Sequence, residues 1–399
     1  MTPEVLHLCC HLDPTWGGLS QAVVGLSKAV AATGRYRVHL MALCAEDEQF
    51  TAPVLEGLRI SRPPLGGLPG WPAMSKEIGA AMSLASLAHI HGLWQPHSIL
   101  GARSARRHGV PYIMTAHGML ERWALKAKAW KKKAYALAFE RRILSRAECL
   151  HALTDAEIGD FRRFGLDRPA MRIPNGVEAP TGVDPEPFWA KYPDLRTRQV
   201  VLFLGRIHVK KGIDLLCRAW GAVAHEHPNA HLVIAGPDTG NTRSGLETLV
   251  DRLGVRKQVT FTGLLSGEAK WSALRAASLF VLPSHSEGFS VAVLEALAVG
   301  CPAIITSQCN FPEIVASHAG WVIEPCVEDV TQALDEALRD SHEKLVLRGI
   351  AGKALIESGY SWRSVGRQMV EVYDRILNGG PQRAERYCFD TDCATGVES

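Results

Sequence analysis

The chain has 399 residues, more than one ordinary domain needs, with 47% hydrophobic and 21% charged residues. A formal net charge of +3 excludes a polyelectrolyte and gives no case for nucleic acid. No charge-free apolar run reaches the roughly 18 residues of a membrane-spanning helix.

The start, MTPEVLHLCCHLD, lacks the basic n-region and long apolar core of a secretory signal, so a cytosolic protein is expected. In the first half, apolar and β-branched runs recur at VLHLCC (5–10), YRVHLMAL (36–43), LAHIHG (87–92), VPYIMTAHG (110–118) and CLHALT (149–154). In the second half they are VVLFLGR (200–206), AHLVIAGP (230–237), QVTFTG (258–263), SLFVLPS (278–284) and PAIITS (302–307). A helical stretch follows each. That alternation predicts parallel sheets covered on both faces. The fold class is α/β: two doubly wound, Rossmann-like parallel-sheet domains in series, facing across a cleft. Ligands of such sheets bind beyond the carboxyl ends of the strands, which puts the expected site in that cleft.

The proline-rich stretch APTGVDPEPFWAKYPDLRTRQ (179–199) has no sustained periodicity and is the expected linker. The expected domains are residues 1–180 and 199–360, followed by a helix over 361–378 and a poorly ordered tail, 379–399. The ten cysteines fall mostly in apolar runs, as in LHLCCHL and GCPAII, the pattern of reduced thiols.

Several motifs carry chemistry. In DPTWGGLSQAV (13–23), Gly17 and Gly18 follow the first strand and precede a helix, where a glycine backbone can approach a phosphate. A plain turn explains the pair equally well, and the absence of G-x-G-x-x-G speaks against a dinucleotide cofactor. In TAHGML (115–120), His117 ends a strand and could donate to a sugar hydroxyl or a phosphate; a lone histidine is more often structural. His89, His91, His97 and His117 are too scattered for a metal site, and Cys388 and Cys393 lack a second pair, so no metal is expected.

The segment 121–146 mixes basic and aromatic residues. Trp123, Trp130, Leu137 and Leu144 recur every seven residues on one side of a helix, with Arg141 near the stripe. It reads either as a surface docking on anionic lipid or as a domain helix burying its stripe. In FLGRIHVKKGID (203–214), Arg206 and Lys211 lie past a strand's carboxyl end, where two cations could hold a diphosphate leaving group without a metal. A solvated basic loop is the alternative.

In HSEGFSVAVLEALAVGCP (285–302), two glutamates stand in an otherwise apolar stretch. Glu287 falls in a loop and Glu295 inside the following helix, which Ser290 could cap and Gly300 ends. Two carboxylates beside a helix N-terminus suit the hydroxyls and phosphates of a sugar nucleotide. The alternative is a buried Glu295 paired with a base and an exposed Glu287. Asp390-Thr391-Asp392 lies in the tail with no strand beside it and is read as a decoy.

Together, E-G-F-S-x4-E (287–295), LGRIHVKKG (204–212), WGG (16–18) and IPNGVE (173–178) closely resemble the elements of glycosyltransferase family 4, the retaining GT-B enzymes. The resemblance covers roughly residues 5–375 in the expected order, and HIHGLWQPHS, TAHGMLERWALKAKAWKKK and NFPEIV resemble its bacterial exopolysaccharide and lipopolysaccharide branch. It implies that Glu295 binds the donor ribose, and that Glu287 and the backbone of Gly288, Phe289 and Ser290 hold the donor sugar. It implies Arg206 and Lys211 on the diphosphate near Gly18, His117 on the sugar or its phosphate, and Gly263 at the nucleobase. Glu178 departs from a frequent Asp. It further implies a C-terminal helix returning to the first domain, no metal or cofactor, no protein nucleophile, and a nucleotide sugar donor with a glycan acceptor. That acceptor would be lipid-linked, at the cytoplasmic membrane face. An epimerase of the same fold and an inactive glycan-binding relative are the rivals; the first is opposed by the glutamate pair, the second by the presence of Glu287, Arg206, Lys211 and His117.

Overall fold

The structure is a computed structural model that describes residues 2–12, 18–42, 56–61, 71–121 and 139–379. The chain forms two compact units, Met1–Gly176 with everything from Trp362, and Val177–Ser361.

The first unit is built on a seven-stranded parallel sheet, ordered β3-β2-β1-β4-β5-β6-β7. The strands are β1 (Glu4–Cys9), β2 (Arg37–Ala42), β3 (Leu58–Ser61), β4 (Leu87–His91), β5 (Tyr112–Thr115), β6 (Cys149–Ala152) and β7 (Ala170–Arg172). Side chains alternate between two covered faces, so the strands are mostly apolar, with a few buried polar residues such as His7, His89, His91, Thr115 and His151. Val5, Leu87, Ile113, Cys149 and Met171 form one core with Leu26 and Val30 of α1 (Gly18–Ala32) and with Val365, Met369 and Tyr373 of the C-terminal helix (Trp362–Gly379). Leu6, Leu8, Ile90, Met114 and Leu150 form the other core, with α2 (Trp71–Met82), α3 (Pro96–His108) and α4 (Asp155–Arg163). Each fully buried aliphatic side chain contributes about 1.5–3 kcal/mol. The C-terminal helix approaches α1 through glycines: a Cβ on Gly366 would collide with the Ala29 carbonyl, and one on Gly25 with the Trp362 ring.

The second unit has a six-stranded parallel sheet ordered β10-β9-β8-β11-β12-β13. Its strands are β8 (Gln199–Leu204), β9 (Ala230–Ala235), β10 (Val259–Gly263), β11 (Leu279–Leu282), β12 (Ala303–Thr306) and β13 (Gly320–Ile323). The proline-rich stretch is part of this unit rather than a free linker. It carries α5 (Glu186–Lys191), whose Phe188 is buried and donates its N–H to Ser272 Oγ, 2.8 Å away. Two buried apolar residues, Phe188 and Leu195, hold down a segment whose prolines suggest a spacer. α6 (Ile213–Val223) follows β8 and brings in the fully buried Trp220.

All ten apolar runs form strands. Three short strands come in addition, β3, β7 and β13, each at a sheet edge. Edge strands of three or four residues leave too little alternation to read.

Candidate functional site

Each sheet reverses its strand order once, between β1 and β4 and between β8 and β11. Such switch points leave a crevice beyond the carboxyl ends of the strands.

In the second unit the loops after β8 and β11 meet there. The His285 N–H donates to the Lys210 carbonyl, at 2.8 Å. Val209–Lys211 form one 3-10 turn, ended by Gly212 with φ 63°, where a Cβ would collide with the Pro283 carbonyl. That turn aims Lys211 at Glu287: Nζ lies 2.5 Å from Oε1, and the Ser284 hydroxyl donates to the same oxygen at 2.6 Å. The Glu287 backbone is clamped as well. Its N–H donates to the Gln308 carbonyl at 3.0 Å, and its carbonyl accepts from Asn310 Nδ2 at 2.7 Å. Burial pushes the Glu287 carboxyl up, but Lys211, Ser284 and Lys210 outweigh it and hold it below the ordinary value. Glu287 is therefore ionised and paired, not the exposed loop residue of the alternative reading. Arg206 is exposed just past the end of β8.

The helix after this loop, α7 (Val291–Ala298), begins past Ser290. Ser290 holds the N-cap position but makes no side-chain cap, so its expected capping hydrogen bond is not formed. Phe289 is buried against Phe311 and Tyr360, which leaves its backbone as the part that can face a ligand. Glu295 is buried with Lys270 Nζ 2.5 Å from Oε1. Burial raises its pKa, and Lys270 opposes the rise without cancelling it.

Glycines close β8, β9 and β10: Gly205, Gly236 and Gly263. Their backbones interlock, with the Gly205 N–H on the Ala235 carbonyl and the Gly236 N–H on the Gly263 carbonyl. A Cβ on Gly236 would collide with the Gly205 carbonyl. Gly263 takes φ 74°. This edge therefore presents bare backbone, flanked by the exposed Leu264 and Val209.

In the first unit His117 follows β5 in a left-handed turn, φ 52°, with Gly118 at φ 73°. Glu157 fixes that turn. One carboxylate oxygen accepts from the Gly118 N–H at 2.6 Å and the other from the Leu153 N–H at 2.8 Å. Burial pushes Glu157 up to about 7. Its signal in the sequence is the capping-box spacing T-D-A-E (154–157): the Thr154 hydroxyl accepts from the Glu157 N–H.

The histidines are not scattered. In register, His7 on β1 sits beside His89 on β4, and Thr115 on β5 sits beside His91 and His151. Nitrogens of His7, His89 and His91 lie within 4.8 Å of one another, close enough for a metal group. Spacing along the chain hides this, because pairing across a parallel sheet makes it. Their nitrogens are engaged with one another, with His117, and with Tyr373 and Thr115.

Gly18 opens α1, while Gly17, Trp123, Trp130, Leu137, Cys388, Cys393 and Asp390–Asp392 lie outside the described residues. Leu144, the last member of the seven-residue stripe, is fully buried. Among the described residues no helix is long and apolar enough to cross a membrane. Lys270, Ser284, Asn310, Glu157 and Tyr373 join the sites without a reading in the sequence: Lys270, Asn310 and Tyr373 have partners 23 to 366 residues away, Ser284 bonds to Glu287 three residues on, and Glu157 reaches Gly118 across 39 residues.

Comparison with known proteins agrees with this architecture. A family model described as a glycosyl transferase 4-like domain matches residues 17–176, and one described as glycosyl transferases group 1 matches residues 189–353. An uncharacterized glycosyltransferase of Methanocaldococcus jannaschii is 34% identical over 177 residues, which is 44% of each chain. The GDP-mannose:cellobiosyl-diphosphopolyprenol alpha-mannosyltransferase of Xanthomonas campestris is 25% identical over 96% of this chain and 99% of its own. The crystal structure of Anabaena HepE with UDP and glucose superposes with a TM-score of 0.76 at 15% identity, covering 94% of this chain and 100% of that one. One glycosyltransferase family model thus lies on each unit, the 4-like model on the first and the group 1 model on the second, and the two doubly wound sheets have the GT-B fold.

Proposed function

We propose that the protein is a retaining, metal-independent glycosyltransferase. It transfers a sugar from a nucleotide diphosphate donor to a growing surface glycan that is lipid-linked. The observation that carries this reading is Lys211 held against Glu287 at the second switch point, beside an uncapped helix start. Lys211 and Arg206 offer positive charge to a departing diphosphate, the task a metal performs elsewhere. Glu287 and Glu295 each engage a lysine through one oxygen, and the second oxygen suits a hydroxyl of the donor sugar or ribose. The bare backbone at Gly263 suits a flat nucleobase. In the reaction the bond from the anomeric carbon to phosphate breaks, the bond to the acceptor oxygen forms on the same face, and the acceptor's proton passes to the departing phosphate. No protein nucleophile is required.

The relatives support the classes of donor and acceptor by what they are named for: GDP-mannose and a diphosphopolyprenol for the Xanthomonas enzyme, UDP and glucose for HepE. Docking of residues 121–146 on anionic lipid at the inner membrane face completes the proposal.

The test is nucleoside diphosphate release from UDP-, GDP-, ADP- and dTDP-sugars in EDTA, with and without a bacterial lipid extract, beside Glu295→Ala. Release from one donor, raised by lipid and lost in the variant, is expected. Release that needs a divalent metal would remove metal independence. Silence with every donor, together with no donor binding by calorimetry, would remove the transferase. Indifference to anionic vesicles at low salt would remove the membrane surface.

A further inference from the structure

The polar stripe through the first sheet is one continuous file of hydrogen bonds that ends on a main-chain carbonyl, and a carbonyl only accepts. His151 Nε2 lies 2.8 Å from the Ile173 oxygen, so Nε2 carries the proton and Nδ1 the lone pair. The Thr115 hydroxyl, 2.9 Å from that Nδ1, must donate to it. Thr115 then accepts from His89 Nε2 at 2.7 Å. His89 Nδ1 accepts from the Tyr373 hydroxyl at 2.7 Å, and Tyr373 accepts from His7 Nε2 at 3.2 Å. His7 Nδ1 accepts from His91 Nε2 at 3.0 Å, and His91 Nδ1 accepts from His117 Nε2 at 3.2 Å.

No other assignment of neutral rings turns every contact into a hydrogen bond. The rings are neutral because burial depresses all five, His7 and His117 to about 3 and His151 to about 4, with His89 and His91 also well below the ordinary value. One carbonyl thereby sets the tautomer of five imidazoles. His117 is the one member that is partly exposed.

We propose that this file is a tautomer relay. It holds His117 as the Nε2–H form and presents its Nδ1 lone pair as a hydrogen-bond acceptor for a ligand hydroxyl. A neutral acceptor nitrogen attracts a sugar hydroxyl and repels a phosphate oxygen, so the relay decides between the two partners open to His117. This rests on the proposed transferase function together with the family resemblance, which implies His117 on the sugar or its phosphate. His91, His7, Tyr373, His89, Thr115 and His151 are positioning residues: they act on the ligand only through His117. Tyr373 makes the docked C-terminal helix a link in the relay.

Long-range ¹H–¹⁵N spectra of histidine-labelled protein read the tautomers directly, without substrate, so failure of the transferase reading leaves this test standing. All five rings are expected as single Nε2–H forms at pH 7. Thr115→Val removes the hydroxyl at nearly constant volume, and His117 should then become a mixture of Nε2–H and Nδ1–H. Thr115→Ser should restore the single form. Tyr373→Phe, which cuts the file nearer to His117, should give the same mixture and serves if Thr115→Val does not fold. An Nδ1–H or imidazolium His117 in the wild type would overturn the relay. So would an unchanged single form in both variants, or stoichiometric zinc in the purified chain, since a metal would occupy the lone pairs that the file uses.

Discussion

The two units share a sheet topology and place their polar residues at the same point of it, yet they treat those residues in opposite ways. The first unit keeps its polar centre neutral: imidazoles, a threonine and a tyrosine satisfy one another, and burial removes the charge. The second keeps full charges and pairs them, Lys211 with Glu287 and Lys270 with Glu295. Neutral groups with every hydrogen bond made cost little to bury. Buried charges lean on their partners, and loss of one partner strands the other. The contrast teaches that each unit should fail under a different insult, the first under acid and the second under loss of a lysine.

The largest expected effect is that of acid. His7, His39, His89, His91, His97, His117 and His151 in the first unit all have folded pKa values depressed by burial, against His208 and His231 in the second. A depressed folded pKa means that the unfolded chain binds protons first. The stability these groups contribute is present above about pH 6.5 and is lost as pH falls toward 4. At pH 5 each buried ring shifted to 3 or 4 costs about 1–2 kcal/mol. Glu140 and Glu157, raised by burial to about 7, act with the opposite sign. They lose stability as pH rises through 7, so on acidification they offset part of the histidine loss. Seven histidines outweigh two carboxylates. Hydrogen exchange at pH 7 and pH 5, corrected for intrinsic rates, should show the first unit opening while the second stays protected. Equal loss of protection in both units would break the comparison.

Next in size is Lys211→Met. It leaves the buried Glu287 carboxylate with the Ser284 hydroxyl and the weaker pull of Lys210, and should destabilise the second unit by about 3–5 kcal/mol. Glu287→Gln keeps the shape and should cost less. The double variant should recover part of the stability lost by Lys211→Met, because the stranded charge is gone. Urea denaturation of the three proteins measures this. A loss under about 1 kcal/mol in the single variant would show that water already screens the pair.

How much of this could be read in the sequence follows from the range of the interactions. The strands announced themselves through local apolar runs. Glu287 and Glu295 stood out because a carboxylate in an apolar stretch is costly wherever it ends up. Their lysines did not: Lys211 lies 76 residues from Glu287, and Lys270 lies 25 from Glu295 on a different helix. The relay was less legible still. Each of its strands carries a histidine or threonine in plain view, but strand order and register, which put His7 beside His89, are properties of the folded sheet. A pattern of one or two polar residues per strand in an otherwise buried parallel sheet is the signal of such a file.

Lys270→Met should act more gently, through titration rather than collapse. Burial already raises the Glu295 pKa, and Lys270 is the group that opposes the rise. Without it the carboxyl should titrate higher, so donor binding should weaken on going from pH 8 to pH 6 more steeply than in the wild type. A difference of about one pKa unit corresponds to about 1.4 kcal/mol, roughly tenfold in affinity at the lower pH. Calorimetry with the donor identified by the release assay measures it, and parallel pH profiles would show that Glu295 does not contact the donor as a carboxylate.

The smallest effect separates conformation from recognition. Gly109, which ends α3 in the first unit, and Gly263, which ends β10 in the second, have φ 69° and 74°. Neither would have a neighbour within 4 Å of an added Cβ. Alanine at either position therefore meets only the left-handed backbone penalty, about 1 kcal/mol in each unit. The two variants should melt alike. Only Gly263→Ala places a methyl on the bare backbone edge, so only it should weaken binding of the donor's nucleoside diphosphate, while Gly109→Ala binds as the wild type does. If both bind normally, the nucleobase does not lie against Gly263. If Gly263→Ala binds weakly at unchanged stability, the glycine is kept there for the ligand rather than for the turn.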